Sequence, residues 1–574
     1  MATTNSVLNT TNFTVDANGK LKVGGISSGL DTDAIIDGLM KARRLSAVNI
    51  ETKITTNTSK ISALTDFNSK VANVTAALNA LRGNPGNSAN VFDTKKISGT
   101  VSAISGTPSD IDSLLIATVD STAQNMSHTI KIESLAAAHQ IRSDQFTSTT
   151  TALSTLGMTP GDFTIGGKTI TVSSTDTLLD LRSKINNAGA GVTASIVSAD
   201  ANTHYLVLTS SKTGTANALS FTGGGTLTDQ LGLTENGGAA IKNELVEASN
   251  AEISVDGISG IVRSSNEISD VIPGVTLSLL KAEPGTTINL KVEPDLSSIK
   301  TVISDLVTAY NDVRSYMTEQ RTAADRNNDG TVDDNEYGVL AYEQLLRDIV
   351  SQLGEMASAS VEGAPDGYSS LSQIGIVMKS DYTLSIDETI LDSKLLTNVE
   401  GIKDLFMFKS SVSDSRITVL NRGSASDGAN ALEITGTDAD GNVTGATWNG
   451  VAMTISGKTL TAADGTKIFF NGGPNLGAVS GLTVTMSSGL ADRFYGYFDQ
   501  VSRATSGTIA TQITDLQTQN SDFKDRVDVI DARLAVYRTS LEAKYTAMEV
   551  ALAKLKTLED TIKSYTDSLN NSSN

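Results

Sequence analysis

The feature that most constrains this chain of 574 residues is a stripe of apolar positions near its C-terminus, spaced mainly three and four residues apart. This spacing places the side chains on one narrow face of a long helix, and so narrow a face is buried only against a partner helix. The stripe contains Ile509, Ile513, Leu516, Phe523, Val527, Ile530, Leu534, Tyr537, Leu541, Tyr545, Met548, Leu552, Leu555, Leu558, Ile562, Tyr565 and Leu569. One core position is polar, because Asn520 lies between Leu516 and Phe523.

A second stripe of the same kind lies near the N-terminus. It predicts a helix that begins after Asp31, whose carboxylate can accept hydrogen bonds from the first turn, and that ends near Arg82. Two matched helices at the two ends of one chain indicate a protein that assembles through helices. We predict that the partner-binding positions of these helices include Ile35, Leu39, Ile61, Leu64, Asn520, Phe523, Val527, Leu534, Leu541 and Leu552.

Polar residues interrupt both stripes, at Asn57 and Asn68 in the first and at Asn520 in the second. A buried asparagine in a helix seam costs stability and specifies the register of the two helices. The same pattern equally fits positions that are partly exposed. Near Leu541 the C-terminal stripe takes two four-residue steps in succession, a stutter that locally unwinds a supercoil.

The middle of the chain predicts β-rich stretches and helices. Residues 163–172 predict a hairpin, residues 177–188 a short helix, and residues 297–324 and 339–357 two longer helices. The predicted fold class is therefore α+β multidomain. It comprises terminal α-helical coiled-coil segments (the legs), a central helical domain, two nested β-rich domains and an extra β module.

The predicted domain boundaries follow these changes of pattern. The N-terminal part has a tail and the start of the leg helix at 1–40 and a leg or helical region at 41–92. The β region has one domain at 93–150 and 246–297, with a second domain inserted at 151–245. The remainder has a helical domain at 298–409, an inserted β module at 410–489, a helical region at 490–530 and the C-terminal leg at 531–574.

Composition excludes several functions. The formal net charge of −20 makes nucleic acid and anionic lipid poor partners. The absence of cysteine excludes disulfides and cysteine-ligated zinc. Residues 1–20 lack the apolar core of a signal peptide, and no apolar run is long enough to insert into a membrane. We therefore expect either a cytoplasmic chain or one that is exported without a cleaved signal peptide.

Residues 325–336 match the twelve-residue calcium loop of an EF-hand at each diagnostic position. Gly330 permits the sharp turn at the sixth position. The predicted ligands are Asp325, Asn327, Asp329, the backbone carbonyl of Thr331, Asp333 through a water, and Glu336. The sequence therefore predicts one structural Ca²⁺ as cofactor, with a solvated acidic connector between helices as the alternative.

Catalytic motifs carry little weight. Gly25–Gly29 is a literal G-x-S-x-G, but a nucleophile elbow needs a strand before it, and a polar tail precedes this one. The three histidines, His128, His139 and His204, lie in β-like surroundings without a metal-binding or nucleophile pattern. We predict that the protein is not an enzyme.

Several short segments, in this order, resemble one known family. They are Gly25–Thr32, His128–Phe146, Asp180–Asn186 with Gly191–Ile196, Val271–Leu277, Ala309–Asn311, Leu371–Ile376, Leu384–Asp387, Leu405–Phe406 and Arg533–Lys556. Taken together they resemble the hook-associated protein 2 family, which caps the bacterial flagellar filament. The resemblance covers nearly the whole chain.

The resemblance implies a leg-and-plate architecture and an extracellular protein at the filament tip that promotes insertion of exported flagellin. It implies as partners a ring of further copies of this chain, flagellin, the flagellar type III export apparatus and an export chaperone. Two segments depart from the family pattern, the calcium-type loop and residues 410–489. The alternatives are another flagellar axial protein, either a flagellin or a hook–filament junction protein, and a surface adhesin that acts in cell adhesion through residues 410–489.

Overall fold

The computed structural model describes residues 13–15, 21–23, 28–83, 90–324, 326, 330–332 and 336–571. The chain divides into two compact units, residues 1–89 with 300–574 and residues 90–299. The first unit starts with the antiparallel strands β1 (Phe13–Val15) and β2 (Leu21–Val23), followed by the long helix α1 (Thr32–Leu81). As predicted, Asp31 caps α1, because its carboxylate accepts from the backbone N–H of Ala34.

The unit of residues 90–299 consists mainly of short strands. Its elements are β3 (Lys95–Ala103), α2 (Ile111–Leu114), β4 (Leu115–Val119), β5 (Ser127–Ser134), β6 (Ala138–Arg142), β7 (Gly161–Ile165), β8 (Lys168–Val172), α3 (Leu178–Asn187), β9 (Val192–Asp200), β10 (Thr203–Thr213), β11 (Phe221–Thr222), α4 (Gly225–Gln230), β12 (Thr234–Glu235), β13 (Ala240–Ile241), β14 (Glu244–Val246), β15 (Ala251–Val255), β16 (Ile258–Arg263), β17 (Glu267–Ile272), β18 (Val275–Leu279) and β19 (Thr286–Pro294).

Two hydrophobic cores organise this unit. The sheets β16-β15-β5-β19-β3 and β17-β18-β4 share the first core, which includes Ile130 and Ile253. The sheets β14-β6-β10-β9 and β11-β7-β8 share the second core with helix α3, and this core includes Phe163 and Leu206. The chain leaves the first core, builds the second and then returns, since the buried residues of the second core all lie between 141 and 233.

Helix α5 leads into the second part of the first unit. The elements are α5 (Leu296–Arg321), α6 (Gln344–Ser358), β20 (Ile376–Met378), β21 (Leu384–Ile386), α7 (Glu388–Thr397), α8 (Val399–Phe406), β22 (Lys409–Val412), β23 (Ile417–Asn421), β24 (Gly428–Thr437), β25 (Val443–Trp448), β26 (Val451–Ala452), β27 (Thr454–Ser456), β28 (Thr459–Thr461), β29 (Lys467–Phe470), β30 (Val479–Ser487), α9 (Leu490–Ser502) and α10 (Thr508–Asn571).

Residues 409–487 form a β module between α8 and α9, called the inserted module below. Its two sheets have the strand orders β22-β30-β24-β25-β26 and β23-β29-β28-β27. Their facing side chains, among them Leu432, Trp448 and Phe470, form a core of their own. The indole N–H of Trp448 donates to Asp464 at 3.0 Å, so the buried ring also satisfies its polar atom.

Several sequence-based predictions can be compared with these elements. The hairpin at 163–172 is confirmed by the pairing of β7 with β8, and the helix at 177–188 is confirmed by α3. The predicted start of a helix at Val339 is wrong, since α6 begins at Gln344. The reason is Gln320, whose side chain accepts from the N–H of Leu340 and keeps that segment in turns. No helix of the described residues is long and apolar enough to cross a membrane.

Candidate functional site: the paired terminal helices

The two long terminal helices pack antiparallel along each other. Arg538 contacts Asp37 at 2.7 Å, and Arg44 contacts Asp531 at 2.8 Å. A step of seven residues along α1 therefore corresponds to a step of seven residues back along α10, which is the repeat of a coiled coil. The two apolar stripes found in the sequence thus bury each other within one chain.

The structure places most of the predicted partner-binding residues in this intrachain seam. Leu64 and Val527 are buried, and the side chains of Ile61, Asn520, Phe523, Leu534 and Leu541 are partly buried. Leu552 is also partly buried, but it lies in the part of α10 that extends past the start of α1. Ile35 and Leu39 instead lie on the outside, with 38% and 40% of their surface exposed. The helix buries Ile36 at this level, so the predicted phase of the first turns was wrong by one residue. Whether any of these residues bind a partner stays a prediction.

A polar layer interrupts the seam. Among the described residues, the Nδ2 of Asn57 and the Oδ1 of Asn520 are buried without a hydrogen-bond partner, and the same holds for the Oδ1 of Asn68. The Nδ2 of Asn520 donates a long hydrogen bond of 3.4 Å to the hydroxyl of Thr58, the residue after Asn57. A buried amide group left unpaired costs about 1–3 kcal/mol. The seam is therefore weaker here than a continuous apolar seam would be.

Charged residues flank the seam on both helices. Arg44 forms a fork with Asp531 and also contacts Glu51 at 2.7 Å. The hydrogen bond from Arg44 lowers the pKa of Asp531, and the two carboxylates raise the pKa of Arg44. The guanidinium of Arg43 lies 4.4 Å from the ring centre of Tyr537. Sequence reasoning missed these flanking residues, although charges beside a heptad stripe are the known signal for register.

The last part of α10 extends beyond the start of α1. Near the start of α1, the backbone N–H of Ser28 donates to Glu549 of α10 at 3.3 Å. From there α10 continues to Asn571. We call this segment, residues 550–571, the overhang. Its apolar stripe is 58–69% exposed at Leu555, Leu558, Ile562, Tyr565 and Leu569.

The predicted calcium loop is only partly described. Asp325, Asn327, Asp329 and Asp333 lie outside the described residues. Gly330 has a left-handed backbone with φ +88°, as the sharp turn of such a loop requires. The backbone oxygen of Glu336 accepts from the N–H of Ala324 at 3.2 Å, so the two ends of the loop meet. These features fit a calcium loop, whereas the late start of α6 departs from an EF-hand.

No described cluster suggests catalysis or a metal centre. No group of three His, Asp or Glu residues within the described parts of the chain is arranged to hold a metal ion. The histidines are tied to neighbours in the β unit, His128 to Asp256 and His139 to Glu244, both at 2.8 Å. Ser27, the serine of the G-x-S-x-G motif, lies outside the described residues.

Comparison with known proteins identifies related sequences over most of the chain. The model described as flagellar hook-associated protein 2 C-terminus matches residues 248–557. The model of the N-terminus of the same protein matches residues 28–139. A third model, described as flagellin hook IN motif, matches residues 162–212. The matched residues include all of α1 and most of α10.

Individual relatives agree with these models. The flagellar hook-associated protein 2 of Escherichia coli strain K12 is 30% identical over 398 residues, covering 67% of this chain and 79% of that protein. The protein of that name from Campylobacter jejuni subsp. jejuni is 27% identical over 434 residues, and the match covers 68% of this chain and 64% of that protein. A crystal structure of the flagellar cap protein FliD D1-D2-D3 domains from Escherichia coli is 28% identical and covers 60% of this chain and 90% of that chain, with a TM-score of 0.46.

Proposed function

Because this chain belongs to the flagellar hook-associated protein 2 family, we propose that it caps the distal end of the bacterial flagellar filament and promotes insertion of flagellin there. The observation that carries the proposal is that the family matches span both terminal helices. The family places the protein outside the cell, at the filament tip. A flagellin, a junction protein or an adhesin is not favoured by these matches.

The proposal includes partners. Identical chains that repeat one contact form a closed ring where the rotation closes and a growing fibre where it does not, and a cap at a filament end must not itself grow further. We propose that this chain forms such a ring, that it works with flagellin, and that it reaches the tip through the type III export apparatus with the help of an export chaperone. The role is structural and involves no catalytic step.

The paired helices α1 and α10 suggest how a cap can stay attached to the filament and still move as the filament grows. The exposed stripe of the overhang offers an apolar surface for contact with filament subunits, because it is not used up within the described chain. The polar layer at Asn57 and Asn520 weakens the intrachain seam, so the helices can adjust against each other. We propose that firm outer contacts and a weak inner seam allow the cap to step as each flagellin is added.

Calcium is a further part of the proposal. The twelve-residue pattern, the left-handed Gly330 and the contact between Ala324 and the Glu336 oxygen support a bound Ca²⁺ in residues 325–336. The ion would stiffen the connector between α5 and α6. Its ligands would be carboxylate oxygens, the amide oxygen of Asn327 and the backbone oxygen of Thr331, and its role would be structural.

The test of the cap function uses a strain that lacks this protein. We expect abundant monomeric flagellin in the culture medium and few or no filaments by electron microscopy. When the full-length chain is supplied, we expect free flagellin to fall and filaments to reappear. A complementing gene for an exported but unrelated flagellar protein serves as the control. Normal filaments in the deletion strain would contradict the proposal and direct attention to the junction-protein and adhesin alternatives.

A further inference from the structure

The inserted module is attached to the helices through one narrow root. Its first strand β22 and its last strand β30 are neighbours that pair antiparallel, with Lys409 opposite Ser487. Just outside this pair, the N–H of Gly489 donates to the oxygen of Met407 at 3.1 Å. The chain therefore enters and leaves the module side by side, and at the same end the hydroxyl of Ser487 donates to the backbone oxygen of Glu362.

One carboxylate connects this root to the end of α1. The Oδ2 of Asp492, in the first turn of α9, accepts a short hydrogen bond from the N–H of Phe408. The same oxygen accepts from the N–H of Gly83, just past α1, at 3.4 Å. A single side chain thus satisfies two partly buried backbone N–H groups from segments far apart in sequence.

Glycines bring the three segments into close contact. A Cβ on Gly489 would lie 2.2 Å from the carbonyl carbon of Phe406, which is backbone and cannot move aside. A Cβ on Gly83 would lie 2.1 Å from the Cε of Met407. The close approach at Gly489 is between backbones, whereas at Gly83 the Met407 side chain fills the space, and Asp492 is left partly buried between these segments.

The charges around Asp492 come from two elements. Arg82 at the end of α1 and Arg422 of the inserted module act on it electrostatically and favour its ionised form. Arg82 also lies over the ring of Tyr495, 3.6 Å from its centre, one turn after Asp492. Burial nevertheless raises the pKa of Asp492, because the loss of solvation outweighs both the amide hydrogen bonds and these arginines.

We propose that Asp492 is the tether that holds the inserted module in a fixed orientation on the helices, and that the partly buried charge of this tether allows the root to open. The acceptor oxygen closes the root by binding the N–H groups of Phe408 and Gly83. The negative charge opposes closure, because the closed root removes part of the hydration of the carboxylate. The module is therefore a hinged arm whose orientation is controlled by one carboxyl group.

The direction of the pH effect follows from linkage. In the closed root the pKa of Asp492 is raised, and in an open root, where water reaches the carboxylate, it returns to its ordinary value near 3.8. The closed state therefore binds the proton more tightly. Lowering the pH through the interval between the raised pKa and 3.8 closes the root, and raising the pH through it loosens the root.

The test measures the distance between the module and the helices in the full chain. The sequence has no cysteine, so Ser351→Cys on α6 and Val451→Cys on the module introduce two unique sites for spin labels. Pulsed electron paramagnetic resonance then gives the distribution of distances. Asp499→Asn, on the same helix and paired with Arg503 at the surface, is the matched control.

We expect Asp492→Ala to broaden the distribution at least twofold, because both N–H groups lose their acceptor. Asp492→Asn keeps an acceptor oxygen without the charge, so we expect a distribution as narrow as that of the wild type or narrower, and independent of pH. The wild type narrows on acidification. An unchanged width in Asp492→Ala would overturn the tether. Broadening in Asp492→Asn, or in the wild type on acidification, would overturn the role of the charge, and these two measurements remain decisive if Asp492→Ala does not fold.

Discussion

Arg44 and Asp531, 487 positions apart in the sequence, join the two terminal helices through two parallel hydrogen bonds of 2.8 Å each, from Nε to Oδ1 and from Nη2 to Oδ2. This fork matches the planar guanidinium to the planar carboxylate and therefore has a preferred geometry. Both side chains are more than a third exposed, so the pair adds little to stability. Its main effect is to specify which turn of α1 faces which turn of α10.

The polar layer lowers the stability of the packing between α1 and α10, because it contains buried amide atoms without hydrogen-bond partners. We expect Asn520→Leu to raise the free energy of unfolding of the leg pair by about 1–3 kcal/mol, because a buried unpaired oxygen is replaced by an apolar side chain. In cells we expect shorter filaments, since a tighter seam adjusts less readily. Thermal unfolding and filament lengths by microscopy measure the two effects, with Gln519→Leu on the exposed side as control. Unchanged filament lengths in a stabilised variant would count against the stepping mechanism.

Substitutions in the overhang can distinguish an effect on filament assembly from an effect on the folding of the chain. Leu558 and Ile562 are each 58% exposed, so we expect the double change to serine to leave the melting temperature of the isolated chain within about 1 °C, as is usual for surface positions. We expect filament formation to fall severalfold, because the outer apolar contact is lost. Thr557→Ser with Thr561→Ser is the matched control on the same turns.

A buried seam residue should behave in the opposite way. Leu64→Ser should lower stability by about 2–5 kcal/mol, since Leu64 is fully buried. If the overhang variant loses as much stability as this one while filament growth is normal, the overhang is a folding element and not an assembly surface.

If residues 325–336 bind Ca²⁺ as proposed, the stability of the chain depends on this metal. We expect Ca²⁺ to raise the melting temperature of the full chain and to bind with one site per chain by calorimetry. Glu336→Gln should weaken binding at least tenfold, because the last ligand of such a loop is the bidentate carboxylate. Glu319→Gln, at the end of α5, is the control. Equal Ca²⁺ affinity in the wild type and Glu336→Gln would rule out the predicted ligand set.

Acid should weaken the β unit through Glu283. Hydrogen bonds from Ser109 and Lys281 hold the pKa of Glu283 at about 2, against an ordinary value of 4.5. The stability that this carboxylate contributes is therefore complete above pH 4.5 and is lost as the pH falls toward 2. We expect Glu283→Gln to destabilise the chain more at pH 7 than at pH 3 in urea denaturation followed by circular dichroism. Glu235→Gln, at an exposed position, should show no such difference.

The residues of the helix seam could largely be predicted from the sequence, because they follow the local spacing of apolar residues. The stripes placed most seam residues correctly, including Leu64, Phe523 and Val527, since a helix repeats every 3.6 residues whatever its partner. The phase at Ile35 and Leu39 was missed because two neighbouring apolar residues, Ile35 and Ile36, fit the pattern equally, and only packing against α10 selects one.

The sequence by itself determined the α+β class, the two amphipathic terminal helices, the cap on α1, the hairpin β7–β8 and the family. These features depend on side-chain spacing, on capping and turn chemistry, and on short motifs, all of which act over a few residues. Only the tertiary structure decided that the two stripes bury each other, that the overhang stays exposed and that Asp492 joins Phe408 to Gly83. Such contacts link positions hundreds of residues apart, and their choice depends on packing and desolvation, which local pattern does not encode.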